Sequence, residues 1–242
     1  MKKLLALIFT LCLAVAAQAG ELEPDYYFTA ESLLDKVEDG GAVTEWSDSK
    51  NQVKFIIPQK TKRPVKAPVF KERGLEGNPA ICFDKEIRTL YIPGFVNEVM
   101  AGKSYTFIYA GISISGNFGF AGNVSDGSFY TPPLAMHCGS FSYGKVKAPL
   151  LTSINYYRVN AFTCDVEKKL IATYHNGYPK GKAAIEPIAK FGGGGHLVLP
   201  AMPWAHAPRQ GMITEIMVFK RALTPQEIKK ICGAMIAKHR AP

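Results

Sequence analysis

The stretch SYTFIYAGISI, residues 104–114, decides the fold class. Tyr105, Phe107 and Tyr109 alternate with Thr106, Ile108 and Ala110, so successive side chains point to opposite faces of an extended chain. Aromatic and β-branched residues fit a pleated surface. Both faces are apolar, which predicts a central strand covered on both sides.

Working outward, residues 80–83, 156–164, 170–175, 196–199 and 211–219 read as further short strands between Gly, Pro, Asn and Asp. Tyr157, Val159 and Ala161 are expected to point inward, and Arg158 and Asn160 to face water. Asn176 and Gly177 form a two-residue hairpin signal, since both residues tolerate positive φ. Short strands separated by frequent turns predict an all-β, antiparallel two-sheet jelly-roll sandwich. Residues 116–149 are rich in Gly, Ser and Pro and read as long loops, where binding residues gather.

One helix is expected, at the C-terminal end. Thr224 is the N-cap, Pro225 the first helical residue, and Glu227 completes a capping box. Ile228, Ile231, Cys232, Met235 and Ile236 make one apolar stripe at helical spacing. Lys238, His239 and Arg240 complement the negative helix end. This C-terminal amphipathic helix should pack on the edge or outer face of the sandwich.

The chain has 242 residues. Residues 1–19 read as a signal peptide: Lys2 and Lys3, an apolar run over residues 4–17, then Ala17-Gln18-Ala19. Cleavage is expected before Gly20, leaving residues 20–242 as one domain that is secreted or periplasmic. The apolar run is too short for a membrane span. Four cysteines remain, Cys82, Cys138, Cys164 and Cys232. Export permits two disulfides in any of three connectivities without requiring them, and small buried thiols are the alternative.

Basic residues number 29 and acidic residues 20, for a net charge of +9. Residues 50–73 hold eight basic residues against Glu72, a stretch suited to an anionic polymer or to a solvated loop. Interleaved aromatics are missing there, so nucleic acid is not expected as a partner.

Several segments together resemble the laminin-G-like domains of the concanavalin A-like lectin/glucanase superfamily, in the bacterial, exported form. The segment Val43–Asn51, with Trp46 and Asp48, resembles the opening "W-x-D-x-S-G-N", followed by Arg63-Pro64, the strand at 78–84 and the turn at Asn176-Gly177. Residues 211–224, GMITEIMVFKRALT, look like the closing "G-x-I-x-E-V-x-V-Y-x-R-A-L-S". Lys50 stands where the family has Gly, which puts the first turn in question. The resemblance implies a jelly-roll scaffold with Trp46 in its packing. Some members bind calcium through loop carboxylates and carbonyls. Asn123 and Asp126 are the candidate contributors here but offer one acid only, so no cofactor is the expectation and calcium the alternative.

Some members of the superfamily hydrolyse glucans with paired carboxylates on a strand. Neither E-x-D-x-E nor E-x-D-x-x-E occurs in this sequence, so no catalytic residue is assigned. Asp84 and Glu86 share parity, but at a strand end. The histidines lack metal-ligand spacing. Sugar rings stack their CH faces on aromatic rings and bond their hydroxyls to polar neighbours. Phe129, Tyr130, Tyr143, Trp204 and His206 lie in the expected loops and are the candidate ligand-binding residues. Each loop aromatic has a competing role as the anchor of its own loop. The leading expectation is an exported, non-catalytic recognition domain whose partner is a glycan or another cell-surface polymer, including an anionic one. A carbohydrate-active hydrolase with an unrecognised acid pair and a structural or adhesive surface protein are the alternatives.

Overall fold

The computed structural model describes residues 22–59, 64–84, 86–113, 134–137, 140–149, 157–200 and 210–239. In chain order the strands are β1 (Tyr26–Thr29), β2 (Glu45–Ser47), β3 (Lys54–Ile56), β4 (Val69–Leu75), β5 (Asn78–Phe83), β6 (Leu90–Ile92), β7 (Tyr105–Ser113) and β8 (Leu134–His137). There follow β9 (Ser140–Tyr143), β10 (Val146–Pro149), β11 (Arg158–Asp165), β12 (Leu170–His175), β13 (Tyr178–Ala184), β14 (Leu197–Leu199) and β15 (Gly211–Phe219). The helix α1 (Pro225–His239) closes the chain.

The large sheet runs β13-β12-β11-β7-β15-β5-β4. Strand β1 pairs with the second half of β15, beyond β5. Two smaller sheets, β14-β6-β3-β2 and β10-β9-β8, form the opposing layer. The core between layers joins Phe107, Phe162 and Ile216 of the large sheet to Trp46, Phe55, Leu90, Tyr143 and Leu199 of the small ones. The fold is therefore an all-β antiparallel sandwich with a C-terminal helix, and β7 is its central strand, as residues 104–114 predict.

A second core lies on the outer face of the large sheet. Ile108, Ala110, Val159, Ala161 and Phe219 pack there against Ile228, Ile231, Cys232 and Met235 of α1. Burying each large apolar side chain is worth about 1.5–3 kcal/mol, so the stripe rather than the cap docks the helix. The capping box still sets its start. Thr224 Oγ1 accepts from Glu227 N at 3.3 Å, and Thr224 N donates to Glu227 Oε2 at 2.7 Å. Thr224→Ala should cost about 1 kcal/mol, read as a shift in the urea midpoint at unchanged slope.

This arrangement corrects one expectation. Arg158 and Asn160 do not face water; both are buried. The alternation along β11 holds, but the apolar side faces α1 and the polar side faces the sandwich interior. A sheet covered on both faces leaves no solvent side.

A bulge at Thr214 sets the face of the large sheet on which Glu215 lies. Ile213 pairs with Gly111 and Glu215 with Ala110, so Thr214 is the extra residue. Side-chain parity flips across it: Ile213 and Ile216 point into the sandwich, while Met217 and Phe219 point toward the helix. Glu215 joins the helix side. Gly111 is required opposite this bulge, because an added Cβ would collide with the Met212 carbonyl oxygen.

The Trp46 segment forms a tight turn. Asp48 Oδ1 accepts from Val53 N at 2.9 Å and Oδ2 from Lys50 N at 3.1 Å. The positive φ of this turn falls on Asn51, at 54°, so Lys50 needs no glycine-like conformation.

Candidate functional site

Strand register brings several chain connections to one end of the sandwich. Ser113, the last residue of β7, pairs with Gly211, the first of β15. Gly211 also pairs with Phe83 at the end of β5. Arg158, the first residue of β11, pairs with Gly111. Segment 114–133 therefore leaves the sheet, and segments 150–156 and 201–209 approach it, at this loop end. Phe129, Tyr130, Trp204 and His206 belong to these segments and lie outside the described residues. Tyr143 lies elsewhere, in the small sheet, and its ring is buried edge-on to Phe191 at 5.6 Å. Its hydroxyl accepts from Ile188 N at 2.8 Å, and burial pushes its phenol up to about 12. The structure thus gives Tyr143 a packing position.

At the loop end a polar row crosses the inner face of the large sheet. Asn160 Nδ2 donates to Tyr109 Oη at 2.8 Å, and His175 Nδ1 lies 3.0 Å from Asn160 Oδ1. These residues are cross-strand partners: Asn160 pairs with Tyr109 on one side and with His175 on the other. Arg158 follows next along β11, opposite Gly111. Burial, and then the positive charges of Arg158 and Lys180, hold the His175 imidazole below its ordinary value, so it is neutral at pH 7. With Nδ1–H donated to Asn160, the neutral ring presents Nε2 as an acceptor. Hydroxyl, amide, imidazole and guanidinium are groups that pair with sugar hydroxyls. Tyr109, Asn160 and Arg158 are buried, and His175 is the half-buried member through which the row comes nearest the surface. Sequence reasoning misses this row because it assigns Arg158 and Asn160 to solvent. The signal that points to it is the apolar stripe of α1, which needs one face of the sheet for itself.

The carboxylates that share strand parity are occupied. Asp84 Oδ1 lies 2.8 Å from Arg88 Nε, and Glu86 Oε2 lies 2.9 Å from an Arg88 terminal nitrogen. Lys66 Nζ reaches Glu86 Oε1 at 2.6 Å. The Arg88 hydrogen bond holds the Asp84 carboxyl below its ordinary value, outweighing desolvation. A general acid needs the opposite shift. Asp84 and Glu86 border an open groove of about 390 Å³ shared with Cys82, Gln210 and Met212.

Cys82, Cys164 and Cys232 are free thiols, and Cys138 lies outside the described residues. Burial pushes Cys82 up to about 11 and Cys164 and Cys232 up to about 12, which leaves them protonated and unreactive at neutral pH. Among the described residues no three His, Cys, Asp or Glu gather as a metal cage, and no helix is long and apolar enough to cross a membrane.

No protein-family model and no curated protein sequence matches the chain. Solved structures do. Domain 4 of AbnA, a GH43 extracellular arabinanase from Geobacillus stearothermophilus in complex with arabinotriose, is 15% identical with a TM-score of 0.56, over 81% of this chain and 100% of that one. Trypanosoma rangeli sialidase in complex with sialic acid is 12% identical with a TM-score of 0.56, over 87% of this chain and 32% of that one. The botulinum neurotoxin type G receptor-binding domain is 10% identical with a TM-score of 0.56, over 88% and 51%. The chain spans about a third of the sialidase's length and about half of the toxin domain's. What these proteins share with it is the β-sandwich fold.

Proposed function

We propose that the chain is an exported, non-catalytic carbohydrate-recognition domain of the laminin-G-like type, binding at the loop end of its sandwich. The observation that carries the reading is the row Tyr109–Asn160–His175 with Arg158, placed where segments 114–133, 150–156 and 201–209 meet the sheet. Support also comes from the similar folds whose descriptions name arabinotriose and sialic acid as bound ligands. In this reading Phe129, Tyr130, Trp204 and His206 are the residues that supply stacking surface and hydroxyl partners. No metal or other cofactor is called for. The leader is removed before Gly20, and the domain works outside the cytoplasm.

Recognition without hydrolysis is supported by the occupied state of Asp84 and Glu86, both engaged by Arg88. An adhesive surface is less well supported, because the described residues expose only Leu34 and Tyr178 among large apolar side chains.

Residues 20–242 should be retained on a glycan array and should release no reducing ends from the polysaccharides they bind. His175→Ala should weaken retention at least about tenfold, the equivalent of about 1.4 kcal/mol, with the fold intact by circular dichroism. Retention on no glycan, or an unchanged affinity in the variant, would contradict the assignment of this site.

A further inference from the structure

Four of the eight basic residues at 50–73 meet acids from other segments, and Lys60, Lys62 and Arg63 lie outside the described residues. Lys50 meets Glu23 at 3.0 Å, Lys54 meets Glu45 at 2.7 Å, Lys66 meets Glu86 at 2.6 Å and Lys71 meets Asp39 at 3.6 Å. Another set of lysines, scattered in sequence, gathers around strand β13. Lys147, Lys180, Lys182 and Lys229 are all exposed, and no ion pair joins them to an acid among the described residues.

Several features gather this set along the β13 edge, next to His175 at the end of the polar row: Lys182 and Lys229 on the helix side of the sheet, Lys147 on the opposing layer. Tyr178, at the start of β13, is the cross-strand partner of His175 and is 58% exposed. Lys229 Nζ stands 5.4 Å from the Tyr178 ring centroid. The register of β12 and β13 shifts between Thr173, paired with Gly181, and Tyr174, paired with Pro179. Lys180 is the extra residue of this bulge, a feature that re-aims side chains. Strand β10 comes alongside at Pro149, whose ring meets Gly181, and brings Lys147 to the same edge.

We propose, building on the carbohydrate-binding reading above, that the β13 edge is a basic rim of that site and fits it to acidic polysaccharides. The exposed Tyr178 ring offers a stacking face for a sugar, and the ammonium groups attract carboxylate or sulfate groups along the polymer. A membrane surface fits less well, since binding there needs several apolar side chains to insert, and Tyr178 is the single large one at this edge among the described residues. Single-stranded nucleic acid calls for a series of aromatic rings for successive bases.

Calorimetric titration with polygalacturonate and with neutral dextran, each at low and high salt, tests the proposal. Wild type should bind polygalacturonate more tightly than dextran, and salt should weaken that binding. The triple variant Lys180→Gln, Lys182→Gln, Lys229→Gln should lose about tenfold in affinity for polygalacturonate and keep its thermal midpoint. Tyr178→Ser should weaken binding at both salt concentrations. Tight binding of neutral glycans alone, unaffected by salt or by the triple variant, would overturn the acidic preference and leave the His175 site standing. Binding of neither polymer, together with no retention on the glycan array, would overturn both readings. Equal binding of DNA or anionic vesicles, lost in the same triple variant, would overturn the assignment to polysaccharide.

Discussion

Trp46→Ala should lower the unfolding free energy by about 3–5 kcal/mol, the largest loss expected from any single truncation in this core. Trp46 is fully buried between the two layers. Its ring stacks on Phe55 at 5.6 Å and tilts against Phe28 at 5.4 Å. Its Nε1–H donates to Thr29 O at 3.0 Å. The indole thus joins β2 and β3 in the small sheet to β1 at the edge of the large one. Truncation removes that join and leaves a cavity among aromatic rings that cannot close around it. Urea unfolding followed by circular dichroism measures the loss, and Trp46→Phe should recover part of it. A change below about 1 kcal/mol would show that Trp46 is not a core residue.

Glu215→Gln should cost about 3 kcal/mol, at the low end for breaking a buried charged group because Lys238 keeps some contact with water. Glu215 is 1% exposed beneath the C-terminal end of α1. Lys238 Nζ bonds to its Oε1, and His239 Nε2 lies 3.1 Å from the same oxygen. Lys238 also reaches Glu31 at 2.8 Å, so one lysine ties the helix to two parts of the sandwich. Burial on its own pushes the Glu215 carboxyl up, but the hydrogen bonds from His239 and Lys238 outweigh it and hold the group below its ordinary value of 4.5.

A carboxyl depressed in the folded state stabilises the protein above its unfolded value, and the contribution disappears as pH falls through the folded one. Stability should therefore drop as the pH is lowered below about 4.5. Glu227 adds to the same acid loss. The Arg221 hydrogen bond, aided by Thr224, holds its carboxyl down to about 2. Glu215→Gln should remove part of the acid slope and leave the Glu227 part. Identical slopes for wild type and variant would contradict the clasp.

Much of the scaffold is legible in the sequence, because hydrophobic period and turn chemistry are local. The strands at residues 80–83, 104–114, 156–164 and 211–219 and the capped helix all appear close to their expected places. Asn176 and Gly177 adopt φ of 50° and 82°, as their hairpin requires. The bulge at Thr214 is not legible, since nothing in GMITEIMVF marks the skipped residue. Without it, Glu215 would point into the sandwich rather than toward Lys238. Helix-end complementarity alone also misses what Lys238 and His239 do here, because their partner comes from a strand more than twenty residues away.

The candidate site is legible only as a place. Residues 116–149 read as long loops, but β8, β9 and β10 form within 134–149, unread because a Gly- and Ser-rich strand has weak periodicity. Residues 116–133 lie outside the described residues. The polar row depends on which face of β11 the helix takes. Likewise the basic run at residues 50–73 has the look of the charged surface until Lys50, Lys54, Lys66 and Lys71 meet acids from other segments. Tyr178 and the lysines around it, dispersed from Lys147 to Lys229, become neighbours only through the pairing of β12 with β13 and the packing of β10 and α1 beside them.

The most direct test of the central claim is a backbone amide NMR titration of residues 20–242 with soluble oligosaccharides. Shifts concentrated on Tyr109, Ser113, Arg158, Asn160, His175 and Gly211 are the predicted result. Saturable shifts confined to the opposite end of the sandwich, or none with any sugar, would contradict it.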